Sequence, residues 1–282
     1  MFATHPASAT LPVPEAYPAS LLPLGHASFA ERVLESLAAA GVKSVDVVIG
    51  DRPEELRRLL GDGQRWGLAA RLHVVKDATR PYGILRSLSL AHTQRLIIGH
   101  AHRWIPVTSL RCLTDDDRLA LHLQGGVEVR WSGWASLPPS RIEALDISAR
   151  VAEMDRLIGA LRQPTLLLDP EQPLCPDDPS NLLAAQRTVL RQMPVSPLPQ
   201  SWRRSDAVTV SPAAYIDLRA RLIGPVVIGP GCHVGSDATV GPNAVLARDV
   251  VVAAGATVAD ALVLQDTLIN SERVNELSAC IV

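Results

Sequence analysis

Histidine offers this chain its most versatile side-chain chemistry, and two placements stand out. His100 and His102, followed by Trp104, form an H-x-H pattern just past a short apolar run. Two imidazoles at that spacing could ligate zinc, which takes nitrogen and sulfur donors in fours. No third ligand is visible nearby, so polar residues at the rim of a pocket are the favoured reading. Gly83 and Gly99 join them as candidate ligand-binding positions. His233 sits beside Cys232 inside a repeat. A histidine so placed could act as general base in acyl transfer, although a solvent-facing repeat residue is the plainer reading. Asp62 and Arg65 suit a turn or an ion pair better than a substrate. Arg52, Arg57 and Arg58 read as a solvated helix face, and Trp131, Trp134 and Trp202 as packing residues rather than a sugar platform. Cys112, Cys175, Cys232 and Cys280 lie far apart with no C-x-x-C pair, which argues against a metal or redox centre.

Something must position these groups, and composition bounds what it can be. The 282 residues suit two domains; 47% are hydrophobic and 20% charged, which excludes disorder as the main state. A net charge of -2 gives no basic excess for nucleic acid or an anionic membrane. Lys43 and Lys76 are the only lysines among 27 basic side chains. The first 23 residues do not resemble a signal peptide, and no run reaches the roughly 18 apolar residues of a membrane span. The expectation is a cytoplasmic protein with no membrane insertion.

The strongest pattern is periodic. Steps of six from Val210 land on Ile216, Leu222, Ile228, Val234, Val240, Leu246, Val252, Val258 and Leu264, all aliphatic. Steps of six from Ala214 land on Ala220, Val226, Cys232, Ala238, Ala244, Val250, Ala256, Leu262 and Leu268, all small or aliphatic. A large aliphatic followed four residues later by a small residue is the hexapeptide signature of a left-handed parallel β-helix. Three short strands close one triangular coil, and stacked coils share an apolar column. The phase fails at Asn270, which marks the end of the helix.

The N-terminal part reads as α/β. Ser28 and Glu31 form a capping box for a helix carrying Phe29, Val33, Leu37 and Ala40, with Gly41 as its stop. Val45 to Ile49, Ala70 to Val75 and Leu96 to Ile98 are strand candidates. Helices are expected after Asp51, over Ile84 to His92, over Ile147 to Leu161 and from Pro179. Strands are possible between Leu119 and Trp131. The alternation implies a doubly wound parallel sheet. Met193 to Pro199, with three prolines, marks a linker. The chain thus divides into an extension 1–17, an α/β domain 18–165, a linker and connecting helix 166–205, repeats 206–270 and a cap or tail 271–282.

Particular segments carry a family resemblance. Pro18-Ala19-Ser20-Leu21-Leu22-Pro23-Leu24-Gly25 resembles P-K-P-L-L-P-V-G of the sugar-phosphate nucleotidyltransferases, the NDP-sugar pyrophosphorylases. Leu60-Gly61-Asp62-Gly63-Gln64-Arg65-Trp66-Gly67-Leu68 is similar to their F-G-D-G-S-R-F-G-V. Arg80-Pro81-Tyr82-Gly83 sits where they have P-L-G-T-A-G-A-L, and Ile97-Ile98-Gly99-His100 where a strand ends in N-G-D. The resemblance covers residues 18 to 102 and 178 to 269. It implies a reduced nucleotidyltransferase-like, Rossmann-like domain followed by the β-helix.

The departures fall on the chemistry that the resemblance implies. Thr4 to Leu11 reads T-H-P-A-S-A-T-L where the family has a glycine-rich phosphate loop with an arginine. Ala19 replaces the phosphate-neutralising lysine. Arg86 replaces a glycine of G-T-A-G, where its bulk would fill space meant for the base. His100 replaces the aspartate that holds Mg²⁺, and imidazole is a poor ligand for that hard cation. Phosphoryl transfer rests on positioning and charge neutralisation, so the resemblance implies a degenerate, inactive member with no catalytic residue and no resident metal. A non-catalytic regulatory, scaffolding or sugar-nucleotide-binding role follows, in bacterial polysaccharide or nucleotide-sugar metabolism. Partners would be a second copy or another protein, with a nucleotide or sugar nucleotide as ligand and no nucleic acid. The alternative is an active enzyme making NDP-sugar and pyrophosphate with Mg²⁺; a weaker one is an acyltransferase using His233.

Overall fold

The computed structural model describes residues 1–14, 17–50, 53–88, 95–115, 120–124, 130–158, 165–169, 174–192, 202–205, 207–270 and 273–275. The Met193–Pro199 linker, Asp51, Arg52, Cys280 and most of the tail lie outside them. The chain forms a mixed α/β structure of two compact units. One comprises Met1–Ala7, Ala16–Leu22 and Phe29–Cys175; the other comprises Ser8–Glu15, Pro23–Ser28 and Pro176–Val282.

In the first unit a parallel sheet is built on the Ser44–Ile49 strand, whose β-branched run suits burial on both faces. It pairs in parallel with Ala69–Val74 on one edge and with the two-residue strand Phe2–Ala3 on the other. Phe2 is in turn bracketed by the end of Leu96–Ile98: its N–H donates to Gly99 O at 2.8 Å, and Ala101 N–H donates to its carbonyl at 2.8 Å. The helix Phe29–Ala39 buries Phe29, Val33, Leu34 and Leu37, residues three and four apart on one face. Gly41 ends it at φ +90°, a backbone state that favours glycine. The expected helix after Asp51 is Pro53–Leu60.

A second sheet in this unit runs in the spatial order Leu96–Ile98, Arg130–Leu137, Ala120–Gln124, Thr165–Asp169. Arg130–Leu137 is antiparallel to both neighbours, so the sheet is mixed where a purely parallel one was expected. Two expected helices also shrink. The turn Pro81–Arg86 is a short 3-10 segment, and residues 89–92 of that expected helix lie outside the described residues. In the next, whose residues 159–161 lie outside the described residues, Val151–Glu153 and Met154–Leu157 are the helical part among the described ones. There Asp146 accepts bonds from the Ser148 N–H and hydroxyl at 3.1 and 2.5 Å, and such local bonds compete with helix formation.

The second unit holds stacked parallel strands, the arrangement of a three-sided β-helix. One face stacks Val208–Val210, Val226–Ile228, Ala244–Leu246 and Leu262–Val263; a second stacks Tyr215–Ile216, His233–Val234, Val251–Val252 and Leu268–Ile269; a third stacks Arg221–Leu222, Thr239–Val240, Thr257–Ala259 and Arg273–Asn275. Ile228, Val234, Val240, Leu246, Val252 and Val258 are 0% exposed, so the six-residue step does point inward. Val245 pairs with Leu262, so the third coil is one residue shorter than the one before. Val263 and Ile269 therefore take the inward places assigned by phase to Leu264 and Asn270. The stack does not end where the phase fails, since Arg273–Asn275 pairs onto Thr257–Ala259. Several corners adopt left-handed backbone, at Asp237, Asn243, Asp249, Asp260 and Asp266, side chains that tolerate it.

The outward rungs differ by face. Thr209, Val227, Val245 and Leu262 are at most 2% exposed, whereas Tyr215, His233, Val251 and Leu268 form an exposed ladder. The helix Pro179–Gln192 starts where Asp178 accepts the Asn181 N–H at 2.8 Å. Its Arg187 lies 3.6 Å from Asp260 of the column.

Candidate functional site

The carboxyl ends of Phe2–Ala3 and Leu96–Ile98 bring together residues about a hundred positions apart. Gly99 is there because of Trp134: a Cβ on Gly99 would fall 2.2 Å from the indole ring. His100 follows, fully buried, with Tyr82 Oη 3.4 Å from its Nε2 and the Phe2 ring centroid 5.7 Å away. His102 is 1% exposed and stacks on His5, centroids 4.3 Å apart and planes 13° from parallel. His100 and His102 meet edge to face at 5.6 Å. Neither stands at a rim; both imidazoles are interior. His5 was not legible as a partner, because its local sequence carries no signal of a contact 97 positions away.

Burial drives the chemistry of this cluster. His100 Nδ1, both ring nitrogens of His102, Thr4 Oγ1 and Ser20 Oγ are buried with no hydrogen-bond partner. Loss of solvation, reinforced by the nearby positive charge of Arg103, holds His100 well below the ordinary imidazole value; for His102 burial leads, then His5 and Arg103. Burial likewise pushes the Tyr82 phenol up. Neutral imidazoles are potential metal ligands, yet the rings of His5 and His102 lie in near-parallel planes, so their in-plane lone pairs cannot meet on one ion. Among the described residues no three His, Cys, Asp or Glu side chains group as metal ligands. Mg²⁺ fits least, since the described residues of the cluster offer nitrogens and hydroxyls and no carboxylate.

The other expected positions are dispersed. Ala19 opens a 3-10 turn, 1% exposed, and its N–H donates to His5 O at 3.0 Å. Gly83 lies exposed in the Pro81–Arg86 turn with open space around it. Arg86 does not fill an interior space: its guanidinium reaches Glu143 at the surface, 3.6 Å away. The segment most like the family pattern is a turn, with Gly63 and Gly67 left-handed and Asp62 accepting the Gln64 N–H at 3.0 Å. Arg65 pairs with Glu31 at 2.5 Å and lies 3.8 Å over the Trp66 ring. Trp131 and Trp134 are packing residues, donating to Trp134 O and Arg103 O, each at 2.7 Å. In the column His233 stacks on Tyr215 at 4.6 Å on the exposed face, while Cys232 points inward, its thiol pushed up to about 11 by burial. One cavity, of about 350 Å³, runs along the strands and is lined by Met1, Asp46, Arg71, Ile97, Gly99 and Trp134 among others.

Comparison with known proteins gives one match placed in the second unit and one partial match to a whole protein. The family described as bacterial transferase hexapeptide (six repeats) matches residues 220–260. A glucose-1-phosphate thymidylyltransferase of Streptomyces antibioticus is 37% identical over 60 residues, which is 21% of this chain and 16% of that protein. The chain thus carries hexapeptide repeats and a partial similarity to a sugar-phosphate nucleotidyltransferase. Among the described residues no helix is long and apolar enough to cross a membrane.

Proposed function

We propose that this chain is a non-catalytic, nucleotidyltransferase-like protein that acts as a regulatory, scaffolding or sugar-nucleotide-binding partner in bacterial polysaccharide or nucleotide-sugar metabolism. One observation carries the reading. At the place where the resemblance puts a metal-holding carboxylate, His100 is fully buried beside Phe2 and Tyr82. A neutral imidazole there brings no negative charge to a divalent cation, and at 0% exposure it is closed to solvent. Ala19, buried and bonded to His5, removes a second source of charge neutralisation. The hexapeptide period supports a left-handed winding for the column, whose exposed Tyr215–Leu268 ladder offers a surface for self-association or a protein partner.

The partial likeness to a thymidylyltransferase favours a second reading, an active sugar-1-phosphate nucleotidyltransferase with a rearranged site. Calorimetric titration separates the two. Nucleoside triphosphates with Mg²⁺ are expected to give no saturable heat at millimolar concentration, with or without sugar 1-phosphate. Mg²⁺-dependent triphosphate binding, or release of pyrophosphate, would overturn the non-catalytic reading.

A further inference from the structure

Three imidazoles packed ring against ring at the carboxyl ends of the strands, those of His100 and His102 buried and that of His5 half-buried, are an arrangement that responds to protons. The cluster also sits under two short pieces of chain. Thr4–Ala7 and Tyr17–Leu22 are held to one another by Ala7 N–H to Tyr17 O at 2.6 Å, Ala19 N–H to His5 O at 3.0 Å and a bridge between Pro6 and Pro18. They meet the sheet through His5, which stacks on His102. In α/β sheets this end of the strands is where ligands are taken.

We propose that His5, His100 and His102 form an acid-operated latch: proton uptake by the cluster releases the paired segments Thr4–Ala7 and Tyr17–Leu22 and opens the carboxyl end of the sheet. The groups facing the cluster set the direction. The Phe2–Ala3 side brings the Met1 amine and His5, the Pro81–Arg86 turn brings the Tyr82 phenol, and the His100 segment itself brings Arg103. The Ala19–Leu21 turn brings no titratable group. Among the described residues no carboxylate acts on His100 or His102, so a proton taken up by either meets only positive or neutral described neighbours. A charge buried without a partner is costly, and the chain relieves it by admitting water. Both imidazoles are held below their ordinary 6.5, so the closed state binds fewer protons than the open one. Closure is therefore complete above about pH 6.5 and lost as the pH falls below it. The opening constant rises about tenfold per pH unit for each imidazole that gains a proton, hence about a hundredfold for two. This device does not depend on whether the protein binds a nucleotide.

Hydrogen exchange followed by mass spectrometry at pH 7.5, 6.0 and 5.0, corrected for the intrinsic pH dependence of exchange, tests it. Peptides covering 1–7, 17–22 and 98–103 should lose protection by at least about tenfold per pH unit. Peptides from Ser44–Ile49 and from the column should keep theirs, separating the latch from general acid unfolding. His102→Phe keeps a ring on the stack and removes a titrating group, so its pH response should be shallower by about tenfold per unit. Should that variant not fold, imidazole proton resonances of the unsubstituted protein serve instead: His100 and His102 should titrate together, below 6.5, in step with the loss of protection. Equal protection at pH 7.5 and 5.0, loss of protection throughout, an unchanged profile in His102→Phe, or titration of the buried pair at the ordinary value would each overturn the latch.

Discussion

Val240→Asp is expected to abolish folding of the second unit, whereas Val251→Asp should leave it standing. Val240 is 0% exposed and pairs with Leu222 below and Val258 above, so a carboxylate there has only aliphatic neighbours. A buried, uncompensated charge costs about 3–5 kcal/mol, a large part of the stability of a typical domain. Protonation lowers that cost but leaves an unbonded carboxylic acid in a dry column. Val251 is 38% exposed on the outward ladder, where a substitution changes stability by about 0.5 kcal/mol or less. Urea unfolding followed by far-ultraviolet circular dichroism distinguishes them. Similar midpoints for the two variants would contradict the inward and outward assignment.

That assignment was legible before any coordinates because a column is one-dimensional: each coil repeats its predecessor, so a fixed step samples the same wall again. What the step could not register was the residue lost between Val245 and Leu262. From there the same physics continues with Val263 and Ile269 inward, one place earlier than counted. The aspartates and Asn243 at the corners carried a readable turn signal, obscured by the more regular aliphatic rhythm.

The first unit was legible where a segment is self-sufficient. The helix Phe29–Ala39, with its apolar face and glycine stop, and the buried run Ser44–Ile49 announce themselves. Phe2–Ala3 does not, because two residues have no period; it is a strand only by virtue of the backbones on either side. The site suffered from the same limit. His100 and His102 were visible as a pair, but His5 and Tyr82 join them through tertiary pairing, and burial, which sets their chemistry, is not written in the H-x-H spacing. Arg86 shows the converse: a position assigned by resemblance to an interior space has its side chain at the surface beside Glu143.

Gly99 and Trp134 provide the sharpest energetic test of the first unit. Trp134→Ala is expected to cost about 3–5 kcal/mol, the range for emptying a buried large aromatic site. Its indole is 1% exposed and donates to Arg103 O at 2.7 Å, so truncation also takes the donor from that carbonyl. Gly99→Ala should cost about 1–3 kcal/mol by overpacking, because its Cβ would stand 2.2 Å from ring carbons that are themselves hemmed in. The two costs share one volume, so they should not add. With the indole gone, a methyl on Gly99 has space, and the double variant should be more stable than the sum predicts by about 0.5–3 kcal/mol. Urea midpoints of the wild type, both single variants and the double, read by circular dichroism, close the cycle. Additive losses would mean that Gly99 is required for something other than the indole, such as a ligand approaching the backbone beside His100. A positive coupling assigns the glycine to packing, and leaves the imidazoles as the chemically distinctive part of that strand end.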